Sequence, residues 1–151
     1  MTFDELVQAL TVKVKNRDTQ STVIWSRPGM GRGRAVERAV LEGSSNTAQL
    51  RWMQLPLCDF MQFERLVPFE SSRGVLFLDD IESAIPEGRE FAQQLLLRRA
   101  FGGSKVPPGW LVWAAGDPSG SPELLDDFVL SGTCHFRLDG MDPDGEFRWP
   151  R

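Results

Sequence analysis

Short apolar runs alternate with amphipathic stretches along this chain. Phe3, Leu6, Val7 and Leu10 recur at helical spacing. Thr2 followed by Glu5 is a capping-box pattern, so an amphipathic helix opens the chain. The polar run Lys15 to Ser21 is a loop. Thr22 to Trp25 reads as a short strand, broken by Pro28, Gly29, Gly31 and Gly33. Arg34 to Leu41 has helical composition and ends at Gly43-Ser44-Ser45-Asn46. Leu50 and Trp52, with Met53 and Leu55, suggest a second strand, and residues 58–68 fit either helix or loop. Val75 to Leu78 is continuously apolar, the mark of a parallel strand covered on both faces. Pro86 opens a helix running to about Ala100, with Phe91, Leu95 and Leu96 inward, and Gly102-Gly103 stops it. "GWLVWAAGD" is a further buried strand. "SPELLDDFVL" predicts a helix capped by Ser121 with Pro122 at its first position, and "CHFRL" a last short strand. Strands alternating with helices predict an α/β sandwich with a mainly parallel sheet.

The length of 151 residues fits one domain. We divide it into an N-terminal helix and loop (1–21), an α/β core (22–138) and a tail rich in Asp, Gly and Pro (139–151). With 41% apolar and 25% charged residues, wholesale disorder is not expected. A net charge of −4 offers no basic excess for a phosphate backbone, so nucleic acid is a poor default partner. The single histidine, His135, leaves little from which to build a histidine metal site or triad. Cys58 and Cys134 read as small core residues in a reducing compartment. No apolar run approaches the roughly 18 residues of a membrane span. The acidic N-terminus lacks the positive flank of a signal peptide. A cytoplasmic protein is the expectation, with no membrane partner.

The stretch "SRPGMGRG", Ser26 to Gly33, follows a strand and opens a helix. A phosphate-binding loop needs glycines there, so that backbone N–H groups approach the phosphates at a helix N-terminus. Against the pattern G-x-x-x-x-G-K-[ST], Ser26 stands at the first glycine, Arg32 at the lysine and Gly33 at the hydroxyl residue. The candidate nucleotide-binding residues are Pro28, Gly29, Met30, Gly31, Arg32 and Gly33. Alone, the stretch reads equally well as a Gly/Pro-rich strand-to-helix turn. "VLFLDD" changes the balance. Apolar residues ending in two acids match the second element of nucleotide-hydrolysing P-loop proteins. Asp79 would then help hold Mg²⁺, and Asp80 would stand where a glutamate orients the attacking water. Two acids closing a strand are also commonly a solvated loop or a helix cap.

In this order, "GVLFLDDIESAIPE", "QQLLLRRAFGG", "VPPGWLVWAAGDP" and "PELLDDF" resemble the core of an AAA+ ATPase, of the MoxR-like bacterial and phage type. The resemblance covers about Thr22 to Leu138. It implies a three-layer α/β sandwich around a five-stranded parallel sheet, with relatives that form rings and remodel proteins. It also implies a helical lid after the core, of which residues 139–151 reach only the beginning. Carried over residue by residue, it shows several departures. Arg32 keeps a positive charge at the phosphate lysine, but its planar fork is not a point charge. Gly33 offers no Mg²⁺ ligand, and Asp80 is shorter than glutamate. Asp117 stands where a polar sensor faces the γ-phosphate. Asp127 stands where an arginine often acts on the neighbouring subunit's nucleotide. Asp79 alone is unchanged.

A general base contributes about 10²–10⁴ in rate, and a trans-acting arginine about 10³–10⁵. Loss of such groups predicts little turnover. The expectation is a degenerate, pseudo-ATPase AAA+-like domain with no cofactor, acting by protein–protein binding. Its partner would be an AAA+ subunit, that system's client or a host factor. The alternative is a nucleotide-binding protein with weak ATPase activity. Arg32 would then hold the phosphates of ATP, Asp79 and Asp80 the Mg²⁺, and Asp80 and Asp117 would be catalytic. "DGMDPDGE", Asp139 to Glu146, has the alternating acids of a calcium loop without its remaining spacing, and reads as a solvated tail. "RLVPF" is a candidate contact segment. Trp25, Trp110 and Trp113 are expected in the core, Trp52 and Trp149 at the surface. Arg98 and Arg99 are expected at a solvated helix end.

Overall fold

A computed structural model of the chain describes residues 1–57, 71–118 and 124–139. Helix α1 (Phe3–Asn16) starts where the sequence predicts. The Thr2 hydroxyl accepts from the Glu5 N–H at 3.2 Å, and the Glu5 carboxylate accepts from the Thr2 N–H at 3.0 Å. Strand β1 (Thr22–Ser26) leads into α2 (Arg32–Gly43), followed by β2 (Gln49–Gln54) and β3 (Gly74–Asp79). A 3₁₀ turn (Ile81–Ser83) precedes α3 (Pro86–Arg98). The two-residue strands β4 (Ala100–Phe101) and β5 (Ser104–Lys105) form a small antiparallel hairpin over Gly102-Gly103. Strand β6 (Trp110–Gly116), helix α4 (Asp127–Gly132) and β7 (Cys134–Leu138) complete the described chain.

The five long strands form one parallel sheet in the order β2-β3-β6-β1-β7. Helices cover both faces, and strand residues alternate between them. Val23, Trp25, Leu76, Leu78, Val112 and Ala114 face α3 and α4, packing on Phe91, Leu95 and Val129. Ile24, Val75, Phe77, Trp113 and Ala115 face α1 and α2, packing on Leu6, Leu10, Val36 and Ala39. This is the three-layer α/β sandwich expected of the sequence. The central strands β1, β3 and β6 are wholly buried, which is why they read as unbroken apolar runs. Trp25, Trp110 and Trp113 lie in the core as expected. No helix among the described residues is long and apolar enough to cross a membrane.

Three local expectations are corrected. The helix predicted from Ser121 begins only at Asp127. Residues 119–123 lie outside the described residues, but Leu124 to Asp126 are not helical. Leu124 and Leu125 are both buried in the core, and the Asp126 N–H donates to Gln93 Oε1 at 2.7 Å. That side-chain acceptor holds the backbone open until α4 starts. Arg98 is exposed, but Arg99 is not a solvated end residue. It takes a left-handed conformation (φ 56°) and turns inward to donate to the carbonyls of Pro107 and Trp110. Cys134 is only half-buried, so it is not a fully enclosed core residue. Cys58, "RLVPF", most of the Asp139 to Glu146 tail and Trp149 fall outside the described residues.

Candidate functional site

The carboxyl ends of β1, β6 and β3 lie side by side, and the candidate residues gather there. From Ser26 the chain turns through Arg27 to Gly31 into α2. Gly29 (φ 81°) and Gly31 (φ 88°) take left-handed conformations that side chains rarely adopt, which explains the glycines. Pro28 and Gly29 are exposed, and Met30 packs on the α1–α2 side of the core. The Phe3 ring stands 3.5 Å from where a Cβ on Gly31 would be.

Arg32, the first residue of α2, is only 7% exposed. It reaches across the end of β6 to the end of β3. Its Nε donates to Asp79 Oδ1 at 3.0 Å. One terminal nitrogen donates to the Ser26 carbonyl at 3.1 Å and to the Ser26 hydroxyl at 3.4 Å. The other donates to Asp80 Oδ1 at 2.8 Å and Glu82 Oε1 at 3.2 Å. A guanidinium has five N–H donors, and these five bonds engage all of them. Burial by itself opposes the charge of Arg32, but the carboxylates of Asp79, Glu82 and Asp80 outweigh it and hold its proton more tightly than usual. Gly116, at the end of β6, leaves room for the turn that carries Ile81 and Glu82. A Cβ there would lie 3.2 Å from Glu82 Oε2 and 3.3 Å from Ile81.

Asp79, 5% exposed, is held by protein donors on both oxygens. Oδ1 also accepts from the Asp80 N–H at 2.9 Å, and Oδ2 accepts from Trp52 Nε1 at 3.2 Å. The Gln54 side-chain amide completes this side. Turned to suit its neighbours, it donates to Asp80 and accepts from Trp52 Nε1 at 2.9 Å, so Gln54 and Asp79 share the single indole N–H. Asp80 has a left-handed backbone (φ 61°), which aspartate tolerates better than most residues. That conformation turns the chain from β3 into the 3₁₀ turn and places Asp80 and Glu82 on the same guanidinium nitrogen.

Gly33 explains the position of Trp52. A Cβ at Gly33 would lie 1.9 Å from the indole Cη2, inside the ring's own volume. The indole therefore occupies the space beside the start of α2 that any side chain at position 33 would need. It packs edge-on against Phe77, with centroids 5.3 Å apart, and remains 38% exposed. Trp52 is thus at the surface, as the sequence suggests, but as a cover over Gly33 and Asp79.

The remaining candidates lie further out. Asp117 is half-buried just after β6 and is not a partner of Arg32. Asp127 is exposed on the first turn of α4. Sequence reasoning missed Glu82 and Gln54 and the inward role of Trp52. One signal for Glu82 was available: a third acid two residues beyond Asp79-Asp80.

No protein-family model and no curated protein matches this sequence. Solved structures are similar in fold. The RuvB Holliday junction branch migration motor of Thermotoga maritima superposes with a TM-score of 0.59 at 18% identity, over 90% of this chain and 43% of its own. NtrX of Brucella abortus in complex with ATP gives 0.60 at 10% identity, over 92% of this chain and 36% of that one. A DNA polymerase III γ-subunit-related protein of Thermotoga maritima gives 0.54 at 10% identity, over 88% and 45%. The chain spans less than half the length of each. Its fold is that of the AAA+ P-loop ATPases.

Proposed function

We propose that this is a pseudo-ATPase domain: an AAA+ fold whose nucleotide site is filled by its own side chains and which acts by binding another protein. The observation that carries this reading is the saturation of Arg32. A phosphate-gripping cation needs donors left over for the ligand. Every N–H of Arg32 is already engaged, and withdrawing those on Asp79, Glu82 or the Ser26 carbonyl would leave a largely buried acceptor short of a donor.

Two further observations point the same way. Mg²⁺ requires oxygen ligands, yet both Asp79 oxygens accept protein hydrogen bonds and the Trp52 indole fills the space beside Gly33. The residues present do not fit a magnesium nucleotide. The cluster also sets three carboxylates against one guanidinium, so an incoming triphosphate meets an excess of negative charge. Asp80 is tied to Arg32 and is in no position to orient a water.

On this reading the glycine loop survives as a shaped turn, and the α/β surface docks on a partner without a nucleotide cycle. The order of motifs favours a MoxR-like system of bacterial or phage origin. The partner would be an AAA+ subunit, a client or a host factor, which the domain would modulate or inhibit in the cytoplasm. The test is calorimetric titration of the protein with ATP and Mg²⁺, paired with affinity capture from the native cell. No nucleotide heat together with specific capture of an AAA+ protein or its client supports the proposal. Micromolar nucleotide binding overturns it.

A further inference from the structure

The amino ends of β3 and β6 lie at the edge of the sheet opposite Arg32. A pocket of about 250 Å³ opens there, beneath the carboxyl end of α1. Val14, Val75 and Leu111 line it together with Arg17, Thr19 and Arg73. Arg17 is exposed and sits in a left-handed conformation (φ 51°) where α1 ends, and Arg73 is half-buried in the turn before β3. Among the described residues neither guanidinium has an ion pair or a side-chain hydrogen bond. Asp18, the acid adjacent to Arg17, is committed to Lys13 at 3.0 Å and to the Gln20 N–H at 3.0 Å. In a chain of net charge −4, two uncompensated arginines at one apolar pocket are a local excess of the opposite sign.

We propose that this pocket binds a small amphiphilic carboxylate. Its apolar part fills the space against Val14, Val75 and Leu111, and its carboxylate is taken by Arg17 and Arg73. The volume lies below the roughly 300–1,000 Å³ of drug-sized pockets, so the apolar part is about the size of one leucine or phenylalanine side chain. The guanidinium fork matches a carboxylate in two parallel hydrogen bonds. The same chemistry is offered by a free short-chain acid and by the C-terminus of a polypeptide ending in an apolar residue.

The test is titration of the whole protein with N-acetyl-leucine, N-acetyl-leucine amide, hexanoate and inorganic phosphate, followed by amide chemical shifts. The acids are expected to bind with dissociation constants of about a millimolar, as befits ligands of this size. Their shifts should centre on residues 14–19 and 73–75. Arg73→Gln and Arg17→Gln should each weaken N-acetyl-leucine by roughly tenfold, with the melting temperature unchanged. Equal binding of hexanoate and N-acetyl-leucine assigns the site to free acids, and a clear preference for N-acetyl-leucine assigns it to a chain terminus; either supports the proposal. It is overturned if the amide or inorganic phosphate binds as well as the acid, if neither acid binds, or if both arginine variants bind unchanged.

Discussion

Gly33 and Trp52 are a matched pair: the indole of Trp52 lies where any side chain on residue 33 would have to go. Gly33→Ser should therefore act as an overpacking mutation and destabilise the fold by about 1–3 kcal/mol. Trp52→Ala in the same chain should recover part of that loss, because the cavity then accepts the hydroxymethyl group. Urea unfolding of the two single variants and the double variant measures the coupling. Additive losses would show that Trp52 is not what excludes a side chain at position 33. Changing the loop toward a phosphate-binding sequence should therefore require opening Trp52 as well as changing Arg32 and Gly33.

Arg32 and Asp79 form a buried pair, and the partly exposed Asp80 and Glu82 share the same guanidinium. Removing one partner of such a group leaves uncompensated buried charge, at a cost of about 3–5 kcal/mol. Arg32→Met should lose that much in chemical denaturation. Arg32→Lys keeps the charge but not the planar fork, so it should fall between Arg32→Met and the wild type. A lysine variant as stable as the wild type would mean that the five-bond geometry contributes nothing.

His135 gives the fold an acid-sensitive point. Burial pushes its pKa down, although the Leu130 carbonyl acts in the opposite sense. The ring accepts from Trp25 Nε1 at 3.0 Å through Nδ1, while Nε2 faces the Leu130 carbonyl at 2.8 Å. A proton on Nδ1 would set two donors against each other. The folded pKa is depressed, so the unfolded chain takes up protons first as pH falls. His135 thus contributes stability that is present above about pH 6.5, the ordinary histidine value, and is lost as pH falls from there through the folded value. The stability difference between wild type and His135→Gln should narrow between pH 7.5 and pH 5. A difference that is constant across that range would contradict the neutral, buried imidazole.

Gln93 holds the start of α4 by accepting from the Asp126 N–H at 2.7 Å. Gln93→Leu should leave that partly buried donor unpaired and cost about 1–3 kcal/mol. Amide exchange in residues 126–132 should accelerate more than in β1 or β6. Uniform acceleration would place the effect in the core instead.

Much of this architecture is legible in the sequence because burial leaves a plain record. Val75 to Leu78 and Trp110 to Ala115 are unbroken apolar runs because both faces of the sheet are covered. Thr2 and Glu5 mark a helix start because the capping box is local. The glycines at 29 and 31 mark a turn that needs positive φ. What stayed hidden depends on contacts distant in sequence. Leu124 and Leu125 have helical company, but the core takes both and Gln93 opens the backbone, so α4 starts late. Arg99 resembles any helix-end cation until the Pro107 and Trp110 carbonyls are brought to it. At the candidate site, the sequence showed that Arg32 and Gly33 are unusual in a phosphate loop. It did not show that Arg32 faces three acids, or that Trp52, 19 residues on from Gly33, fills the space beside it.

On the function proposed above, the protein's own side chains fill the place of a magnesium nucleotide. Titration of the protein with ATP and Mg²⁺, followed by calorimetry and by melting temperature, separates a filled site from an open one. A ligand at about 100 times its dissociation constant stabilises the native state by about 2.7 kcal/mol. A site filled in this way should give no binding heat and no change in melting temperature up to millimolar nucleotide. Saturable binding at micromolar concentration, with a matching rise in melting temperature, would contradict it.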